Sequence, residues 1–157
     1  MPNVIPAAPP QYGDRFAIVV AQWNHSVTSK LLDGALTTLL DAGIADNAID
    51  VAWVPGSWEI PLAAQRMAAS ARYAAVICLG AVVRGETSHD QHINRGVSLA
   101  ISQIALDFEL PVLFGVLTCE CMEQAIDRAG GAHGNKGSEC AAAALHMVGL
   151  LRNLPSA

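Results

Sequence analysis

Tyr73-Ala74-Ala75-Val76-Ile77-Cys78-Leu79-Gly80-Ala81-Val82-Val83 is a nearly unbroken apolar run, and Arg84-Gly85-Glu86-Thr87-Ser88-His89 follows it at once. A run of that length without polar alternation reads as a strand buried on both faces, the signature of a parallel sheet covered by helices. After the polar turn, residues 89–108 carry helical spacing, with Ser88 placed as N-cap and Gln91 three residues on, a capping-box spacing. Strand, glycine turn and helix make one βα unit, and the unit recurs. Residues 15–23, 49–54 and 111–117 read as further doubly buried strands, and 26–42, 59–70, 122–129 and 138–151 as helices. In the first of these helices Leu31, Leu32, Ala35, Leu39 and Leu40 recur at three- and four-residue spacing, and Gly43 ends it. Four βα units and an extra C-terminal helix predict an α/β fold, doubly wound around a small four-stranded parallel sheet.

Composition narrows the partners. The chain has 157 residues, 52% hydrophobic and only 15% charged, an apolar excess that suits burial between subunits. Its net charge of −5, with no run of Lys or Arg, argues against nucleic acid and anionic membrane surfaces. No apolar stretch reaches the roughly 18 residues that span a bilayer. Residues 1–10 lack the basic and long apolar regions of a signal peptide, so residues 1–14 are expected to form a Pro-rich arm and 15–157 a single domain. Cys78, Cys119, Cys121 and Cys140 lie in apolar or Ala-rich segments and read as reduced thiols of a cytoplasmic protein. Cys119-Glu120-Cys121 with His133 fits no common zinc spacing, and no metal is expected.

In open parallel sheets, ligands bind beyond the carboxyl ends of the strands. Four loops follow those ends and are expected to converge on one rim: Trp23-Asn24-His25, Pro55-Gly56-Ser57-Trp58-Glu59, Arg84-Gly85-Glu86-Thr87-Ser88-His89 and Thr118-Cys119-Glu120. Backbone N–H groups of a glycine turn entering a helix form an anion site. The Thr87 hydroxyl would join them, and His89 would stand beside the anion as acid or base. Glu86 must then point outward. Trp58 and Trp23 could wall a flat heterocycle, and Arg128 could hold a phosphate with two parallel bonds. Each feature has a plainer reading: a helix cap, a first-turn Glu favoured by the helix dipole, a solvated surface loop. The sequence has neither a Walker A spacing nor a dinucleotide fingerprint, and His25, His92 and His146 have no recognisable partner.

Taken together the segments resemble the lumazine synthase family over residues 15–151. The resemblance rests on Trp23-Asn24, Val54-Pro55-Gly56-Ser57-Trp58-Glu59-Ile60-Pro61, Gly80-Ala81-Val82-Val83 with the turn through His89, Pro111-Val112-Leu113-Phe114-Gly115-Val116-Leu117-Thr118, Glu123-Gln124-Ala125-Ile126-Asp127-Arg128-Ala129-Gly130 and Gly134-Asn135-Lys136-Gly137. It implies a three-layer α/β/α, flavodoxin-like fold. It also implies a cofactor-independent condensation of 5-amino-6-(D-ribitylamino)uracil with 3,4-dihydroxy-2-butanone 4-phosphate, giving 6,7-dimethyl-8-ribityllumazine in riboflavin biosynthesis.

By the same resemblance Trp23 stacks on the pyrimidine, and Ser57, Trp58 and Glu59 line its pocket above Ala81, Val82 and Val83. Gly85, Glu86 and Thr87 form the phosphate loop, and His89 transfers protons. Phe114 and Arg128 arrive from a neighbouring subunit, Arg128 on the phosphate. Asn24 and Lys136 lie near the site. The resemblance implies a homo-oligomer with sites at subunit interfaces: a pentamer, with a decamer, a sixty-subunit shell and association with riboflavin synthase left open. The short loop at 129–134 is like that of shell-forming members. Asp90-Gln91 departs from the family's aromatic–acidic pair after the histidine, and Trp stands at 23 and 58 where Phe is commoner. A non-catalytic flavin- or lumazine-binding module and an inactive shell subunit are the alternatives. The combined presence of Glu59, Thr87, His89 and Arg128 argues against both.

Overall fold

A computed structural model describes residues 1–156; position 157, the last of the range expected for the single domain, lies outside the described residues. The chain runs β1 (Phe16–Ala21), α1 (His25–Asp41), β2 (Ile49–Val54), α2 (Ile60–Ala69), β3 (Ala75–Val83), α3 (His89–Phe108), β4 (Val112–Cys119), α4 (Met122–Asp127), β5 (Ala129–Gly131), β6 (Gly134–Asn135) and α5 (Lys136–Asn153). The first four strands form one parallel sheet in the order β2-β1-β3-β4. With helices on both faces this is the three-layer, flavodoxin-like α/β/α fold.

The two inner strands show why their sequences are almost wholly apolar. Every residue of β1 is buried, and so are Ala75 to Ala81 of β3. Alternate side chains serve opposite layers. Phe16, Ile18, Val20, Ile77 and Leu79 pack against Leu31 and Leu39 of α1 and Ala141, Ala144 and Val148 of α5. Ala17, Val19, Val76 and Cys78 pack against Ile60 and Ala64 of α2 and Val97, Ile101 and Ile104 of α3. Each fully buried Leu, Ile or Phe contributes about 1.5–3 kcal/mol.

Several details differ from the expectations. β2 and β4 are the edge strands rather than doubly buried ones, and Val51, Trp53 and Phe114 on them are exposed. His25 has a partner after all: its ring stacks on Trp53, with centroids 5.1 Å apart and planes at 24°. The capping box at Ser88 does not form. Instead the Gln91 N–H donates to the Ser88 carbonyl (3.1 Å) and the His89 N–H to Thr87 Oγ1 (3.3 Å). α4 stops at Asp127, and an antiparallel hairpin of β5 and β6 occupies what looked like an irregular glycine loop. α5 starts at Lys136, two residues before Ser138, because Asn135 caps it, accepting the Ser138 N–H at 3.1 Å.

At the amino ends of the strands a polar cluster closes the sheet. Asp50 Oδ2 accepts hydrogen bonds from Tyr73 Oη (2.6 Å) and from the Arg15 guanidinium (2.9 Å). The Tyr73 hydroxyl, then Arg15, hold the Asp50 carboxyl below the usual carboxylate range, and the same bond raises the Tyr73 phenol. The N-terminal segment lies along α5: the Ala8 N–H donates to the Gly149 carbonyl at 3.0 Å, Asn153 to Pro6 at 2.8 Å, and Arg152 pairs with Asp14. Among the described residues no helix is long and apolar enough to cross a membrane.

Candidate functional site

A cleft of about 390 Å³ opens beyond the carboxyl ends of β1, β2 and β3. Its floor is Ala81, Val82 and Val83 of β3; one wall is Trp23 and Asn24, and another is Gly56, Ser57, Trp58 and Glu59. Gly85, Thr87 and His89 close it on the side of the α3 N-terminus. Glu86 is exposed and does not line the cleft, as an anion-binding turn requires.

Local backbone chemistry aims these groups. Asn24 sits in the left-handed region (φ 61°), a conformation Asn tolerates better than most residues. Its side-chain amide donates to the Ala81 carbonyl at 2.8 Å, tying the β1–α1 turn to β3. The amide expected near the ligand is thus engaged in holding the turn that presents Trp23. Glu59 folds back on its own loop, Oε2 accepting the Gly56 N–H at 3.1 Å. Two glycines make room for the second wall. A Cβ on Gly80 would lie 2.5 Å from Ser57 Oγ, and one on Gly96 would lie 2.7 Å from Trp58 Cζ3. Ser57 is therefore pressed into the sheet top, 7% exposed, while the Trp58 ring rests on α3 and stays 60% exposed. Trp23 is 73% exposed, so both indoles offer a free face to a flat ligand.

The remaining expected residues lie elsewhere. Phe114, Arg128 and Lys136 line a second cleft, also about 390 Å³, with Thr118 and Cys119 of β4. No residue lines both clefts. The fourth loop shares the rim with the third but opens into this second cleft rather than the first. Its Glu120 pairs with Arg84 at 3.2 Å, and the Arg84 N–H donates to the Cys119 carbonyl at 2.9 Å. In the second cleft the Arg128 guanidinium donates through Nη1 to the Gln124 carbonyl (3.1 Å), and Lys136 lies 3.5 Å from Glu139. Burial raises the Cys119 thiol and pushes Cys140 up to about 11, so neither is a ready thiolate. Among the described residues no group of three or more His, Cys, Asp or Glu is placed to hold a metal ion.

Sequence reasoning did not place Asp90 and Ile93 in the first cleft, or His133 and Glu139 in the second. Ile93 stands one helical turn beyond His89, a spacing that shares a face. Asp90 stands out in the sequence only as a departure from the family's aromatic–acidic pair after the histidine, not as a residue lining the cleft.

A flavodoxin-like sheet with an aromatic-walled cleft and a histidine at its carboxyl rim is the setting of small-molecule enzyme chemistry. The family model for 6,7-dimethyl-8-ribityllumazine synthase matches residues 13–152. The chain belongs to that family. It is a transferase of riboflavin biosynthesis with small-molecule substrates.

Proposed function

We propose that the chain joins 5-amino-6-(D-ribitylamino)uracil to 3,4-dihydroxy-2-butanone 4-phosphate at composite sites, each made from the first cleft of one subunit and the second cleft of its neighbour. The observation that carries this reading is the division of the expected machinery. The aromatic walls, the glycine turn and His89 belong to one cleft, whereas Arg128, Phe114 and Lys136 belong to another. A closed ring of identical subunits brings two such unlike surfaces together at every interface. A pentamer does this, and the apolar excess of the chain suits it; a decamer or a larger shell would repeat the same contact. The domain spans 15–157 with residues 1–14 as its arm, and its buried thiols fit a cytoplasmic enzyme.

In this reading the pyrimidine lies between Trp23 and Trp58, its ribityl chain toward Ser57 and Glu59. The phosphate of the ketone meets the N–H groups at Gly85 and Thr87 and the neighbour's Arg128. The uracil amine attacks the ketone carbon, and His89 moves the proton from nitrogen to the departing hydroxyl as the imine forms. Loss of a proton next to the imine carbon expels phosphate. The resulting enol tautomerises, its hydroxyl-bearing carbon becoming a carbonyl and the carbon that lost phosphate a methyl group. The ribitylamino nitrogen then adds to this new carbonyl, and loss of water closes the ring. No step needs a protein nucleophile. Much of the acceleration comes from holding two reactants in register.

Following lumazine absorbance with both substrates tests the activity, and a rate equal to the uncatalysed one at saturation would refute it. Composite sites have their own test. At low ketone concentration, co-assembled His89→Ala and Arg128→Ala chains should turn over faster than either variant alone, because some interfaces then combine two intact halves.

A further inference from the structure

The inward stripe of α3 runs through Val97, Ile101 and Ile104, each 4% exposed or less. Continued toward the N-terminus at the same spacing, the stripe reaches Asn94 and Asp90. The buried face of the helix thus turns from apolar to polar where it passes the first cleft, which Asp90 lines. Asp90 Oδ1 and Asn94 Oδ1 are both closed off from solvent, and neither has a hydrogen-bond partner.

A buried carboxylate oxygen without a donor is costly and needs an explanation. Helix capping does not supply one. No side chain caps α3, and the N–H groups of His89 and Gln91 in its first turn go to Thr87 Oγ1 and the Ser88 carbonyl. A phosphate does not supply one either, since two anions would repel. An N–H or O–H entering with the ligand would supply the missing donor once the Asp90 side chain turns its oxygen into the cleft it lines.

We infer that Asp90 is a substrate-binding residue whose Oδ1, orphaned in the cleft wall beside Asn94, accepts a hydrogen bond from an amine or ribityl hydroxyl of the bound aminopyrimidine. This rests on the reading that the first cleft takes the pyrimidine. It also assigns the cleft a polarity: its α3 wall takes donors and the Gly85–Thr87 turn takes the anion.

The test is equilibrium titration of the assembled protein with 5-amino-6-(D-ribitylamino)uracil and, separately, with 5,6-diaminouracil. Asp90→Ala should weaken the ribitylated ligand by about tenfold or more, the cost of a lost charge-assisted bond. Asp90→Asn should lose less, because its amide oxygen still accepts. The unliganded Asp90→Ala protein should melt no lower than the parent, because the variant removes an unsatisfied oxygen. Equal weakening of both ligands identifies a ring amine as the donor; weakening of the ribitylated one alone identifies a hydroxyl.

Binding to Asp90→Ala within about twofold of the parent would overturn the inference. So would a large drop in melting temperature, or unchanged affinity with a shifted pH profile of kcat, which would make Asp90 a partner of His89 instead. Trp58→Ala is the control for the underlying reading. If it too binds the pyrimidine as the parent does, the cleft assignment itself fails.

Discussion

At the amino ends of the strands, one carboxylate oxygen of Asp50 gathers the Tyr73 hydroxyl and the Arg15 guanidinium, and Arg72 lies over the Tyr73 ring at 5.6 Å. At the carboxyl ends the polar groups stay open: His89 and Thr87 are exposed, both cleft indoles show a free face, and Asp90 Oδ1 has no partner. The same parallel sheet gathers a paired polar cluster at one end, where Arg15 Nε alone lacks a partner. At the other it leaves His89 exposed and the Asp90 and Asn94 side-chain oxygens Oδ1 without partners. The difference teaches where to look for stability and where to look for turnover. A group already paired within the chain has little left for a substrate, and one that waits for a partner adds little to folding.

That contrast can be broken most forcefully at His89. Replacing it with Ala should cut turnover by about 10²–10⁴-fold, the usual worth of a positioned proton carrier, while pyrimidine binding and the melting temperature stay near the parent values. Steady-state kinetics, titration and calorimetry on one preparation would check all three. Next comes Arg128→Ala, expected to raise KM for the phosphorylated ketone by about 10–100-fold through loss of a charge-assisted contact, with KM for the pyrimidine little changed. Equal effects on both substrates would erase the distinction between the two clefts.

The amino end should answer in the opposite way. Tyr73→Phe removes the 2.6 Å bond to Asp50 and should lower unfolding free energy by about 0.5–1.5 kcal/mol, toward the low end because Asp50 is partly exposed. Catalysis should be unaffected. The Asp50 carboxyl titrates below its unfolded value, so its contribution is full above the unfolded value and fades as pH falls through the folded one. Melting temperatures of the parent and Asp50→Asn should therefore converge between about pH 5 and pH 2. The smallest effect sharpens the comparison at a single site. Gly96→Ala should favour the α3 helix by up to about 1 kcal/mol, yet its Cβ would displace the Trp58 ring. A more stable variant that binds the pyrimidine several-fold more weakly would show the two ends trading in opposite directions.

The parallel sheet was legible because β1 and β3 are apolar on both faces, which only burial between two layers explains. The same runs hid the edges: the 49–54 segment looked doubly buried, and its exposure follows from strand order, which sequence does not state. Strand order also explains the misplaced fourth loop. The loops after β1, β2 and β3 share a cleft centred on the end of β3, whereas the end of β4, on the other side of β3, lines a second cleft with Arg128 and Lys136. Trp23, Trp58, Thr87 and His89 could be read because each is an unusual residue at a strand's carboxyl end. Asp90 could not, because a first-turn carboxylate fits a helix dipole as well as it fits a ligand. The hairpin at 129–135 was too short and too glycine-rich to carry a strand pattern.

The lining of the first cleft runs from Trp23 to Ile93, and that of the second from Phe114 to Glu139. The two halves of the chemistry are therefore consecutive, non-overlapping stretches of coding sequence, separated by the body of α3. A single crossover between residues 94 and 113 exchanges one complete half for that of a relative and leaves the other intact. Inheritance, too, can treat the lining of one cleft and the lining of the other as separate units.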